Sequence, residues 1–355
     1  MSRRAARFGY LNARVRGLRS KLLTPEEYDS LIRAKDVADA IRILSETIYS
    51  EPLASVTRRE DVEIPDLENA LMRSYYETFE RVVKYADERT RPILYSFFEK
   101  HEAACLKSLL RMIIARIPID KSMNYIIPLG RFTPEACRRA LTTSDAREVA
   151  ALVSDEDLRG QILNRLTECE KLGSSLPAEA SIEKYVFEKI WSNTTYLEGI
   201  DLRNTQRLAG TEIDADNMIM LVRAIHLGLS GKTTEGFLVP IRFRIGDLLD
   251  KALGSKNPFE AMRTLSRGAY HVDPVVIAES EALKSTLPWE LALRKIIAQE
   301  SSTMFLGYPL QVAIPLAFLN LKFFEIGDIR TILVGKKSGA DPSRVASNLV
   351  AYHLR

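Results

Sequence analysis

Apolar residues recur at helical spacing along most of this chain. Every fourth residue from Leu67 to Phe79 is apolar, which places a stripe on one helix face that must be buried. Similar amphipathic stretches occur near residues 182–191 and 289–297. We find no alternating apolar and polar runs joined by hairpin turns, and no alternation of strands with helices. The pattern therefore predicts an all-α fold.

Two short signals each occur three times and indicate internal repetition. The first is an apolar residue followed by arginine, any residue and isoleucine, and it contains Arg111, Arg223 and Arg330. The second is a helix start in which an N-cap residue precedes an acid by three positions. Its N-cap residues are Asp36, Asp145 and Asn257. Because the two signals recur in phase, they predict three tandem helical repeats.

The spacing of these signals divides the chain into five segments. They are a basic N-terminal segment (1–21), three helical repeats (22–118, 131–230 and 242–336) and a C-terminal tail (337–355). Each repeat is expected to hold about four helices. The third repeat departs from the others, because Arg244–Asp247 replaces the Thr-Pro-Glu helix start found at Thr24 and Thr133.

The N-terminal segment is strongly basic. It carries seven arginines and lysines and no acid, without the continuous apolar core of a secretory signal. A mitochondrial-type presequence, a nucleic-acid arm and a contact with an acidic partner all use such segments. The alternative is a helix with one solvated basic face. Phe8, Leu11 and Val15 are interleaved at near-helical spacing, so we expect the segment to pack against the rest of the chain.

The composition is that of an ordinary globular protein. Hydrophobic residues make up 46% and charged residues 27%, and a net charge of +3 carries no nucleic-acid signature. The three cysteines, Cys105, Cys137 and Cys169, are odd in number and form no Cys-x-x-Cys pair. A disulfide framework and a four-cysteine zinc site are therefore not expected, and a reducing compartment is the natural interpretation.

Two stretches resemble catalytic motifs only in part. Gly231-Lys232-Thr233 looks like the end of a phosphate-binding loop, but His226 stands where that loop needs its first glycine. We expect a helix C-terminus closing at Gly228 and Gly231 instead. His101 and Cys105 share the spacing of a zinc-protease helix without a third ligand, and we expect a surface histidine beside a core cysteine. No catalytic, cofactor-binding or metal-binding residue is predicted.

Residues 301–321 contain no charged side chain and are long enough to span a membrane. Several polar residues intervene, however, and Pro309 and Pro315 would break or kink a spanning helix. We therefore expect a buried helix-turn-helix corner at this position and no transmembrane segment.

Four short runs carry a resemblance to a known family. They are Phe8–Arg16 (FGYLNARVR), Leu44–Tyr49 (LSETIY), Glu325–Ile332 (EIGDIRTI) and Gly335–Lys337 (GKK). The runs resemble the C subunit of archaeal and bacterial V/A-type ATPases, whose counterpart in eukaryotic vacuolar enzymes is the d subunit. The resemblance covers essentially the whole chain. Its motifs are structural, so no site chemistry is carried over.

The resemblance implies a funnel-shaped, all-helical protein of pseudo-three-fold symmetry with no catalytic role. Such a protein sits on the membrane rotor ring of proteolipids, at the cytoplasmic face. It accepts the foot of the central stalk, formed by subunits of the D and F type, and couples the rotation of stalk and ring. Proton or sodium transport is thereby linked to ATP synthesis or hydrolysis. Nucleic acid, cofactors and a small-molecule substrate are not expected.

Two groups of arginines are the candidate partner contacts. Arg111, Arg223 and Arg330 are expected to line the inner wall of the funnel and meet acidic groups on the stalk or on the neighbouring repeat. The alternative is an ion pair within one repeat that holds two helices together. The second group, Arg3, Arg4 and Arg7, is a candidate contact with a neighbouring rotor protein or with acidic lipid headgroups.

Two other classes of protein would show different features. A free-standing helical-repeat scaffold should carry an extended binding face and distinct end caps. An enzyme should gather polar residues in a pocket around a titrating group with a shifted pKa.

Overall fold

The computed structural model describes residues 3–56, 62–123 and 126–354, with only the backbone given for Arg3 and Lys121. The described residues are mostly helical, and the one β-type pairing among them is an isolated antiparallel bridge between Leu129 and Phe132. The predicted all-α class is confirmed.

The helices are numbered here in chain order. The first ten are α1 (Arg3–Arg19), α2 (Pro25–Arg33), α3 (Val37–Leu44), α4 (Ser50–Leu53), α5 (Ile64–Lys84), α6 (Arg91–Ile114), α7 (Ile119–Ser122), α8 (Pro134–Thr143), α9 (Ala146–Ala151) and α10 (Glu156–Leu172). The others are α11 (Leu176–Thr194), α12 (Gly199–His226), α13 (Gly231–Phe237), α14 (Gly246–Leu253), α15 (Pro258–Leu265), α16 (Pro274–Ala282), α17 (Leu287–Thr303), α18 (Ala313–Ser338) and α19 (Pro342–Ser347), with a short 3₁₀ helix at Tyr352–Leu354.

The chain forms two compact units. The terminal unit comprises residues 1–94 and 298–355, and the central unit comprises residues 95–297. The three-repeat division made from the sequence stays a prediction beside this one.

The predicted helix starts are formed as expected. Asp36, Asp145 and Asn257 each accept a hydrogen bond from a backbone N–H two or three residues later, at the starts of α3, α9 and α15. Thr24 makes a reciprocal capping box with Glu27. Each such cap contributes about 1 kcal/mol, because it satisfies an amide that has no partner within the helix.

Helix α18 is the centre of the terminal unit and packs against α1, α3 and α5. Most of its residues are buried, including charged ones such as Glu325, whose carboxylate accepts hydrogen bonds from the backbone of Leu23 at 2.8 Å and the hydroxyl of Tyr49 at 2.7 Å. Phe8, Leu11 and Val15 of α1 are buried, which confirms that the basic segment packs. Burial of each such side chain contributes about 1.5–3 kcal/mol.

The uncharged stretch at residues 301–321 forms a helix-turn-helix corner between α17 and α18, as expected. Ala313 to Leu321 are buried, but the turn is not buried throughout, since Leu306 is 85% exposed. Among the described residues, no helix is both long and apolar enough to cross a membrane.

In the central unit, α11 packs against α10 and α12, and α12 packs against α15. The apolar core of this unit includes Met218, Leu221, Leu249, Met262 and Trp289, all fully buried. The indole N–H of Trp289 donates to the hydroxyl of Ser266 at 3.1 Å, so the buried polar group of this large side chain is satisfied.

Two local expectations in the central unit were wrong. Gly231 opens α13 rather than closing the preceding helix, whereas Gly228 does follow the end of α12 with a left-handed φ of 72°. His101 is buried, with 8% of its surface exposed, because it lies on a face of α6 that packs inward. Burial lowers the pKa of His101 well below its usual value, and the charge of Lys100 lowers it further.

The three cysteines are buried free thiols. The sulfur atoms of Cys105 and Cys137 lie 3.8 Å apart. The hydrogen bond between the two thiols is the main cause, and burial the second, of a pKa of the Cys105 thiol well above its usual value.

Candidate functional site

Each arginine of the repeated signal lies on a long helix. Arg111 is in the last turn of α6 and Arg223 is in the last turn of α12, where a cation interacts favourably with the negative end of the helix dipole. Arg330 lies further inside α18. Each arginine binds one buried glutamate on another helix.

Arg111 binds Glu179, which lies in the first turn of α11. Its Nε donates to one carboxylate oxygen at 3.2 Å and its Nη2 donates to the other at 2.6 Å. The hydroxyl of Ser175 donates to the first oxygen at 2.5 Å. The glutamate side chain is 4% exposed and the arginine side chain 45%, so a buried anion is neutralised from its solvent side.

Arg223 binds Glu290 of α17 in the same way. Its Nε donates at 3.0 Å and its Nη2 at 2.7 Å, while the hydroxyl of Thr286 donates at 2.7 Å. The glutamate is again buried and the arginine partly exposed. Both guanidinium groups therefore use one edge for a two-point hydrogen bond to a carboxylate.

Arg330 binds Glu68 of α5 within the terminal unit. Its Nε lies 2.6 Å from a carboxylate oxygen of the buried glutamate. The third site lacks the hydroxyl found at the other two, because Ile64 stands four residues before Glu68, where Ser175 and Thr286 precede the other two glutamates.

The pKa values of the three glutamates follow this difference. Burial raises the pKa of each, but at Glu179 and Glu290 the arginine, the hydroxyl and a second cation (Lys107 or Arg294) together outweigh burial, and both pKa values are lowered. At Glu68 burial outweighs the charge and hydrogen bond of Arg330, and the pKa is raised. Neither a hydroxyl nor a second cation is among the causes at Glu68, and both would favour the charged form of its carboxylate.

Further ion pairs hold α6 in place beside Arg111. Lys107 of α6 pairs with Glu183 of α11, and Lys100 of α6 pairs with Glu212 of α12. All four side chains are mostly buried. These pairs fix the direction in which the last turn of α6, and hence Arg111, faces.

Arg111 and Arg223 line one cavity of about 520 Å³ in the central unit. The cavity lies where the ends of α6 and α12 meet the starts of α11 and α17. Its polar lining includes Arg111, Arg223, Lys284, Glu179, Ser174 and Ser285. The structure thus brings two of the predicted arginines together, whereas Arg330 belongs to the terminal unit.

The second group of candidate arginines is engaged within the terminal unit. Arg4 donates to the backbone carbonyl of Leu310 at 3.0 Å. Arg7 forms an ion pair with Asp87. The side chain of Arg3 lies outside the described residues. These contacts restrain Arg4 and Arg7, and their part in binding another protein stays a prediction.

The three glutamates were not predicted from the sequence, although the sequence contains a signal for them. Glu68, Glu179 and Glu290 follow one another at intervals of 111 residues. Glu179 and Glu290 also end the same short motif, a serine or threonine followed by Leu-Pro, any residue and glutamate. A search for acids at the repeat interval would have found them.

Comparison with known proteins identifies the family. The family model described as ATP synthase (C/AC39) subunit matches residues 11–347. The chain belongs to the ATP synthase C/AC39 family. The resemblance seen in its sequence motifs is thereby confirmed, and the ion pairs described above are those of a C/AC39 protein.

Named relatives of this C/AC39 protein span nearly all of the chain. The C subunit of the A-type ATP synthase of Methanocaldococcus jannaschii is 21% identical, over 98% of this chain and 87% of its own. That of Haloferax volcanii is 24% identical, over 96% of this chain and 97% of its own. The C subunit of the V-type ATP synthase of Deinococcus radiodurans is 24% identical, over 93% and 87%.

Proposed function

We propose that this chain is a non-catalytic central-rotor subunit of a V/A-type ATP synthase or ATPase. It links the central stalk to the membrane rotor ring and transmits torque, so that proton or sodium transport is coupled to ATP synthesis or hydrolysis. The observation that carries the proposal is the family match over residues 11–347, together with relatives named as the C subunits of A-type and V-type ATP synthases.

The ion pairs support an arrangement of three repeats in cyclic order. The arginine of the first predicted repeat pairs with the glutamate of the second (Arg111 and Glu179), and that of the second pairs with the third (Arg223 and Glu290). The arginine of the third pairs with the glutamate of the first (Arg330 and Glu68). A pseudo-three-fold funnel requires such a closed order, since each repeat then has the same neighbour on each side.

Torque transmission requires a body that does not yield under load. Buried glutamates held by arginines from other helices resist sliding, because separating either partner leaves a charge unpaired at a cost of about 3–5 kcal/mol when it is buried. Close packing of the long helices adds low compressibility. The protein therefore works as a mechanical coupler at the cytoplasmic face of the membrane.

The partners are the central-stalk subunits of the D and F type and the proteolipid ring. A test is a pull-down of the purified chain with each partner, with the ring solubilised in detergent, at low and moderate salt. We expect binding to both, with each partner retained when the other is added. Binding to neither, from a well-folded chain, would contradict the proposal and favour a free-standing helical-repeat scaffold.

The candidate contacts are tested with matched variants in the same assay. We expect R4Q/R7Q to weaken ring attachment, whereas R14Q, which changes an exposed arginine on the same helix, should not. Equal binding by R4Q/R7Q and the unmodified chain would remove Arg4 and Arg7 from the interface. The contact with the stalk is tested with the double variant R223M/E290Q. This variant removes both charges of the pair and leaves no unpaired buried charge, so a loss of stalk binding can be distinguished from a loss of folding.

A further inference from the structure

The 520 Å³ cavity in the central unit holds more hydrogen-bond donors than its own residues use. Arg111 and Arg223 each bind their glutamate through Nε and Nη2. Among the described residues, the Nη1 group of neither arginine has a hydrogen-bond partner. Each guanidinium therefore keeps a free edge, with the fork of N–H groups that matches an oxyanion.

Two hydroxyl groups on the cavity wall also have a donor without a partner among the described residues. Ser174 and Ser285 occupy equivalent places, 111 residues apart, just before α11 and α17. The Oγ of Ser174 accepts the backbone N–H of Leu176, and the Oγ of Ser285 accepts that of Leu287, both at 3.3 Å. Each oxygen is thereby oriented as an acceptor, and among the described residues its own proton has no acceptor. Both hydroxyls remain available as donors to a ligand.

The charge of the lining is positive. Its lining holds three cations, Arg111, Arg223 and Lys284, and one carboxylate, that of Glu179. Glu290, which pairs with Arg223, offsets part of this charge. A volume of about 520 Å³ falls within the range of small-molecule sites, and is larger than a single inorganic ion needs. Guanidinium edges together with hydroxyl donors form the set that recognises tetrahedral oxyanions.

We propose that this cavity is a binding site for a phosphate-type oxyanion, either free phosphate or the phosphate group of a small phosphorylated molecule. The anion receives N–H donors from both arginines and O–H donors from both serines, and Lys284 adds charge at the edge. Glu179 and Glu290 stay bound to the other edge of Arg111 and Arg223 and hold the two guanidinium groups in position. The proposal does not rest on the role proposed above for the whole protein, although Arg111 and Arg223 are candidate residues in both.

The test is calorimetric titration of the full chain with inorganic phosphate and, separately, with glycerol 3-phosphate. Sodium chloride at equal ionic strength and glycerol are the controls. We expect saturable binding of at least one phosphate compound and none of either control. Tighter binding of the ester would identify a phosphorylated metabolite as the ligand, and tighter binding of inorganic phosphate would identify the free ion. Absence of saturable binding, or an equal response to chloride, overturns the proposal.

A matched pair of double variants locates the site. R111M/E179Q removes one fork together with its partner, so that no buried charge is left unpaired, and should weaken phosphate binding at least tenfold. R330M/E68Q makes the same change in the terminal unit and should leave binding unchanged. Equal loss in both variants would contradict the assignment to this cavity.

A third variant changes no charge and remains informative if R111M/E179Q does not fold. S174A/S285A removes the two hydroxyl donors and should weaken binding by about tenfold or more, since hydrogen bonds to a charged group are strong. Circular dichroism checks that each variant is folded. Unchanged phosphate affinity in folded S174A/S285A would exclude these hydroxyls from the site and overturn the proposed ligand geometry.

Discussion

The guanidinium of Arg111 lies against the buried carboxylate of Glu179, with 2.6 Å between Nη2 and Oε2 and 3.2 Å between Nε and Oε1. The two residues are 68 positions apart in the chain and lie on different helices. Their contact therefore depends on how α6 and α11 pack.

The first prediction concerns this pair. Arg111→Met leaves Glu179 buried without its main cation, which should lower the free energy of unfolding by about 3 kcal/mol. The double variant R111M/E179Q should recover much of that loss, because no charge is then buried alone. Urea unfolding at pH 7 measures both, and an equal loss in the single and double variants would contradict the prediction.

The second prediction compares the three glutamates. The pKa values of Glu179 and Glu290 are lowered in the folded chain, so their charged forms stabilise it above the unfolded pKa, and this stability is lost as the pH falls through the folded pKa. The pKa of Glu68 is raised, so ionisation of its carboxylate lowers the free energy of unfolding. At pH 7, E179Q and E290Q should therefore destabilise the chain more than E68Q does.

The measurement for this comparison is urea unfolding of the three variants at pH 7 and pH 4. The difference between E179Q and E68Q should shrink at pH 4, where the natural carboxylates begin to take up protons. An E68Q variant that is the least stable of the three at pH 7 would contradict the predicted order.

The third prediction concerns Asp328 of α18. Burial raises its pKa from 3.8 to about 6, against the lowering effect of hydrogen bonds from the backbone of Val350, Ala351 and Tyr352 and from the hydroxyl of Tyr28. Because the pKa of Asp328 is higher in the folded chain than in the unfolded chain, protonation of its carboxylate stabilises the fold. This stabilisation is complete below the unfolded pKa and is lost as the pH rises through about 6. From pH 7 to pH 5 the gain should be about 1 kcal/mol.

Asp328→Asn tests this pH dependence. The variant is expected to lose stability at every pH, since an amide accepts fewer backbone hydrogen bonds, but it should lack the gain between pH 7 and pH 5. Unfolding free energies of both chains at the two pH values give the comparison. The same gain in the variant would assign the pH dependence to another group.

The fourth prediction concerns a close approach between α12 and the segment after α13. A Cβ on Gly210 would clash with the ring of Phe243, whose backbone N–H is held by Asp214 at 2.9 Å. Gly210→Ala should therefore cost about 1–3 kcal/mol by overpacking. Gly327→Ala is the matched control, because it lies in a helix with no atom near its added Cβ.

Thermal unfolding of the two glycine variants decides this point. The control is expected to be neutral or to stabilise the chain by up to about 1 kcal/mol, since alanine loses less backbone entropy in a helix than glycine does. Equal stability of the two variants would show that Phe243 moves aside without cost.

The sequence by itself determined the helical fold class, the N-caps at Asp36, Asp145 and Asn257, and the motifs of the family. These features could be predicted because their causes are local. An N-cap bonds to an amide two or three residues away, and an amphipathic stripe depends on a period of 3.6 residues. The sequence also drew attention to Arg111, Arg223 and Arg330 through their repeated surroundings.

The tertiary structure alone decided which acids those arginines bind, that Arg111 and Arg223 share one cavity, and that His101 is buried. Each of these depends on contacts between helices that are distant in the chain. Long-range packing brings a residue to its partner by the sum of many weak apolar contacts, and no short motif records that sum. The spacing of apolar residues determines which face of a helix is buried, but only the packing of the helices determines which charged residue lies opposite a given arginine.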